Sequence, residues 1–105
     1  MPVWTSAPTE ERPRLTFEKW RVFLVDGCWH VVGWCVEDQA GRVTSAIAGF
    51  DQARRTAVTK SGRRYLLTGP PGDNGDADYT WHRWKHVHQV QSALEVTDKV
   101  VAALG

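Results

Sequence analysis

The features that would announce a function outright are scarce in this chain. Only two of its 105 residues are cysteines, Cys28 and Cys35. Both fall in one run of β-formers at an odd spacing, which sends side chains to opposite faces of a strand. They therefore cannot bridge within that strand. No Cys-x-x-Cys or zinc-type spacing occurs either. Two unpaired thiols suit a reducing compartment, and a cytoplasmic setting is the expectation.

Net charge is nearly absent as well. Thirteen basic and twelve acidic residues leave +1. That removes any global electrostatic case for nucleic acid or for an acidic membrane surface, so such a case has to be local. No apolar run approaches the ~18–20 residues that span a bilayer, so no membrane partner is expected. The opening "MPVWTSAPTEERPR" also lacks the basic-then-apolar order of a secretory signal.

Tryptophan, by contrast, is plentiful, with six copies. Each buries a large ring and still needs a place for its indole N–H. A chain of this length makes one domain and hides well over half of its unfolded surface. Six indoles exceed what such a core absorbs, so one or two are expected to stand partly in solvent. Hydrophobic residues at 42% and charged residues at 24% are otherwise ordinary for a globular protein.

Residues 1–13 carry three prolines and little periodicity, and read as an extended arm that Trp4 pins to a single domain over 14–105. From Leu15 the run "LTFEKWRVFLVDG" is rich in β-formers and ends in Asp26-Gly27, a strong hairpin signal. Strict alternation puts Trp20, Val22 and Leu24 on one face and Phe17, Phe23 and Val25 on the other. The returning "CWHVVGWCVED" is apolar on both faces, as a central strand covered on both sides would be, and Gly33 marks a bulge or bend. Further turns at "DQAG" (Asp38 to Gly41), "DQARR" and "SGR" recur near every ten residues. The expected fold is α+β: a curved antiparallel meander of about five strands, closing at most into a partial barrel, followed by one or two short helices.

The stretch "YLLTGPPGDNGDADYTW" opens like a phosphate loop, which needs Gly, four residues, then Gly-Lys-Ser/Thr. Counted from Gly69, the second glycine position holds Asn74, and Gly75 and Asp76 stand where lysine and a hydroxyl belong. The nucleotide reading fails, and a strand end, a turn and an Asp-capped helix account for the residues. Asp73, Asn74, Asp76 and Asp78 tempt a calcium reading, but an EF-hand register meets Gly75 at its third position and Trp84 at its twelfth. No cofactor is called for.

Beyond it, "DADYTWHRWKHVHQV" alternates badly as a strand but aligns Trp81, Trp84 and Val87 or His88 as a helix. Its acids lie at the start and its bases toward the end, as the helix dipole prefers. His82 and His86 share a face at the zinc-protease spacing, yet Arg83 occupies the place of the catalytic glutamate. "TDKVVAAL" offers a cap at Thr97 and a final short helix.

Two binding readings result, and no catalytic residue is assigned. Trp and Arg dominate binding hot spots, so Trp81, Arg83, Trp84 and Lys85 are candidates for docking on a protein partner, with the tryptophans sealing the helix onto the sheet as the plainer role. The expected function is then a non-catalytic binding protein, an accessory subunit or inhibitor of a larger bacterial or phage-encoded machine, with self-association as a further option. The alternative is nucleic-acid binding through the hairpin "ARRTAVTKSGRR", where Arg54, Arg55, Lys60, Arg63 and Arg64 form a run without an acid. A metal-dependent enzyme ranks third.

Overall fold

Asp26 and Gly27 have φ of 47° and 88°, the left-handed pair that a two-residue hairpin turn demands. The chain therefore folds straight back, and strand β1 (Arg14–Val25) pairs antiparallel with β2 (Cys28–Cys35), Val25 opposite Cys28. A third strand, β3 (Ala40–Val43), completes one antiparallel meander. A second is formed by β4 (Ile47–Asp51), β5 (Thr56–Thr59) and β6 (Arg64–Leu67). The two meanders join where β6 runs parallel to the start of β1, with Arg14 opposite Arg64 and Phe17 opposite Leu67. Helix α1 (Gly75–Val87), strand β7 (Ala93–Glu95) and helix α2 (Thr97–Leu104) follow. The computed structural model describes residues 13–104, so the expected arm and its Trp4 lie, apart from Pro13, outside the described residues. The fold is α+β: a seven-stranded mixed sheet of order β3-β2-β1-β6-β5-β4, with β7 also on β1, not closed into a barrel, plus two short helices.

A β-bulge sets which side chains share a core. Glu18 opposes Trp34 and Arg21 opposes Val32, so Lys19 and Trp20 together face Gly33. The extra residue, with Lys19 at φ 51°, reverses the alternation of the strand. Leu15 and Phe17 before it and Trp20 and Val22 after it consequently point into one cluster. Strict alternation had assigned Phe17 to the other face, and the bulge corrects that. Gly33 lies across from the bulge, where an added Cβ would stand 3.2 Å from both Cα and Cβ of Trp20.

Each face of the β1–β2 pair is covered, which explains why β2 is apolar throughout. On one side Phe17, Trp20 and Val31 pack against Ile47 and Tyr65 of the second meander and against Val100 and Leu104 of α2. On the other, Phe23, Val25, Val32 and Val43 meet Ala77, Trp81 and Trp84 of α1.

Beyond Phe17 the second edge of β1 loses β6, and its backbone groups find other partners, as buried peptide groups must. Thr68 N donates to Phe17 O at 2.9 Å and Gly72 N to Trp20 O at 3.3 Å. Val22 N donates to Thr97 Oγ1 at 3.0 Å, and Val96 N donates to Val22 O at 2.8 Å. From Phe23 onward β7 takes over.

Helix α1 begins where Asn74 accepts a bond from Ala77 N at 2.9 Å through Oδ1. Asn74, rather than an aspartate, is therefore the cap. Asp76 and Asp78 occupy the first turn and Lys85 and His86 the last, complementing the helix dipole. The helix start rests on β3: a Cβ on Gly41 would lie 2.6 Å from Cα and N of Ala77. Arg21 of β1 ties the helix start to the sheet, its guanidinium pairing with Asp78, standing 3.6 Å from Asp73 and 3.8 Å from Glu95, and covering the Phe23 ring. The acidic loop is thus occupied by capping the helix and holding Arg21.

Candidate functional site

The docking candidates on α1 separate into two layers. Trp81 and Trp84 are 4% and 9% exposed. Trp81 stacks on Phe23 with ring centroids 4.4 Å apart, and Trp84 lies 5.7 Å from Trp81. Lys85 is half-buried, with Nζ 5.0 Å above the Trp81 ring. The two tryptophans bind the helix to the sheet, and Lys85 covers Trp81 from the same helix.

The outer layer is different. Arg83 is exposed, and it is flanked one turn before and one turn after by Tyr79 and Val87, which are 66% and 51% exposed. Residues four apart are neighbours on a helix, so Tyr79, Arg83 and Val87 form a single stripe, with His82 and His86 beside it. Tyr79 escaped the sequence reading, although its four-residue spacing from Arg83 was a signal available there. Of the remaining tryptophans in the described residues, Trp20 is fully buried while Trp29 and Trp34 are partly exposed.

Behind the helix, His30 is buried with Nδ1 2.8 Å from Thr44 O. A carbonyl only accepts, so Nδ1 carries the proton in the neutral ring. Burial pushes the His30 pKa down, the hydrogen bond to Thr44 opposes this, and His88 and Lys60 add to the lowering. Trp84 lies between the two imidazoles, 4.8 Å from His30 and 4.4 Å from His88. The half-buried Cys28 and the buried Cys35 are free, and burial pushes the Cys35 thiol up, away from nucleophilic character. His82 and His86 stand in solvent. No three His, Cys, Asp or Glu side chains among the described residues are gathered to hold a metal ion.

The basic run does not form one surface. Arg63 is 6% exposed. Arg54 and Arg55 lie in the β4–β5 turn, and Lys60 lies in the β5–β6 turn at the other end of β5. Arg54 bonds Asp51 through Nη1 at 3.0 Å and through its amide at 3.2 Å. These bonds hold the Asp51 carboxyl below its ordinary range. What the fold does gather is a groove of about 480 Å³ on the outer face of β1, β6 and β5, where Arg54 and Arg64 meet Arg14. Arg14 was not a sequence candidate, because its place beside Arg64 comes from a parallel pairing that no local pattern announces.

No helix among the described residues is long and apolar enough to cross a membrane. Comparison of the chain with protein-family models, with curated proteins and with solved structures returned no match.

Proposed function

We propose that the protein is a non-catalytic binding domain that docks on a protein partner through the outer face of α1. One observation carries this reading: Tyr79, Arg83 and Val87 lie in line on that face, an aromatic, a guanidinium and a branched aliphatic all reaching solvent from a helix that already buries two tryptophans. Tyr and Arg are the side chains that most often anchor interfaces, and a rigid support limits the ordering cost of binding. Trp81 and Trp84 supply the support rather than the contact. An accessory or inhibitory role in a reducing cytoplasm is the setting we assign, in keeping with two free thiols.

Incorporating a photo-crosslinking amino acid at position 79 or 83, with the exposed Ala48 of β4 as control position, checks this in the native cell extract. The expected result is a discrete protein adduct from 79 and 83 that is absent at 48 and is lost on Val87→Asp. No adduct from either helix position, in a folded protein, contradicts the reading. An adduct consisting of two copies of this chain identifies the partner as itself.

A further inference from the structure

The groove on the outer face of β1, β6 and β5 is built differently from the rest of the surface. Arg14 and Arg64 are register partners on neighbouring strands, and like charges placed opposite one another in a sheet repel. No carboxylate among the described residues forms a salt bridge with either guanidinium. Arg54 joins them from the β4–β5 turn, the Thr56 hydroxyl donates to Arg54 O at 2.9 Å, and Leu66, 42% exposed, supplies an apolar floor. Among the described residues, two acids bond to the lining: Asp51 bonds Arg54 and also feels the charge of Arg64, and Glu37 accepts from the amide and hydroxyl of Thr16, each at 2.7 Å.

From this arrangement we infer that the groove binds an extended acidic segment of a protein, its carboxylates seated on Arg14 and Arg64. Charge complementarity selects an anion, since a carboxylate between the two guanidiniums replaces their repulsion by charge-assisted hydrogen bonds, bidentate where the planes match. The lining selects the class of anion. Single-stranded nucleic acid is held by stacking bases on aromatic rings, and none of the described lining residues is aromatic. An extended peptide instead presents every second side chain to one face at about 7 Å spacing, so acids at alternate positions meet the arginine-lined face together. The groove and the α1 stripe are separate faces, and neither reading depends on the other.

Fluorescence anisotropy on the full chain tests this with three labelled probes: a peptide of alternating Glu and Val, its Gln counterpart, and an oligothymidylate. The Glu peptide should bind, more weakly as salt rises. Arg14→Gln and Arg64→Gln should each reduce its affinity roughly tenfold, since each removes a charge-assisted contact. Lys60→Gln, in the turn beyond the groove, should not alter it. Unchanged tryptophan emission and thermal midpoint confirm that the variants remain folded. Equal binding of the Gln peptide, indifference to both arginine variants, or oligothymidylate binding as tightly as the Glu peptide would each overturn the inference.

Discussion

Two aromatic residues two positions apart in α1 should respond to truncation in opposite ways. Trp81 is 4% exposed and lies between Phe23 and Trp84, while Tyr79 is 66% exposed. Replacing a buried tryptophan by alanine removes its transfer free energy and leaves a cavity that packed neighbours only partly fill, a loss of ~3–5 kcal/mol. Truncating an exposed side chain costs within about 0.5 kcal/mol. A domain of this size holds roughly 5–15 kcal/mol in total, so Trp81→Ala should forfeit a large share of it. At ~4–8 °C per kcal/mol, Tm should fall by roughly 12 °C or more in Trp81→Ala and hardly move in Tyr79→Ala. Urea unfolding followed by the fluorescence of the remaining tryptophans measures both, with an unchanged dependence on denaturant showing that the same structure is lost. A Trp81→Ala variant as stable as the parent, or a Tyr79→Ala variant weaker by more than about 1 kcal/mol, would refute the two-layer description of the helix.

The contact between α1 and β3 makes Gly41→Ala costly, because the new methyl meets Ala77 backbone at 2.6 Å; a loss of about 1–3 kcal/mol is expected from urea unfolding, and a neutral effect would mean that the helix does not rest there. Thr97→Val keeps the shape but removes the acceptor of Val22 N, so an orphaned buried amide should cost ~1–3 kcal/mol and speed hydrogen exchange at Val22. The buried His30 gives a pH dependence of known sign. Its pKa is lowered from 6.5 in the fold, so above that value it is neutral in both states and imposes no cost. As pH falls below 6.5 the unfolded chain takes up the proton first, and stability declines until the folded pKa is passed, by at most about 1.4 kcal/mol per pH unit. His30→Gln should flatten that part of the stability profile relative to the parent, and an identical slope in the two proteins would exclude His30 as its source.

The local signals in this sequence were clear wherever the structure is local. Asp26-Gly27 announced the hairpin, the two-sided apolarity of "CWHVVGWCV" announced a strand covered on both faces, and the alignment of Trp81 with Trp84 placed the helix. Non-local geometry was not legible. A bulge at Lys19 adds one residue without any composition change, and it alone decides that Phe17 and Trp20 share a core. Gly41 resembled a turn glycine, because only the arrival of α1 on β3 reveals that a side chain there has no room. The basic hairpin looked continuous along the chain, yet the fold buries Arg63, sends Lys60 to the far turn and brings in Arg14 from forty residues earlier than Arg54. Tyr79 was readable in principle, since a helix that aligns Trp81 and Trp84 inward must direct residues four apart, such as Tyr79 and Arg83, outward together.

The central claim is that α1 presents a binding face supported by, but distinct from, its buried tryptophans. With the crosslinked partner in hand, titration calorimetry of Tyr79→Ala and Arg83→Ala against the parent tests it most directly. The account predicts a loss of about 2 kcal/mol or more for at least one of them, roughly a thirtyfold weaker complex, at unchanged Tm. Parental affinity in both variants would contradict it.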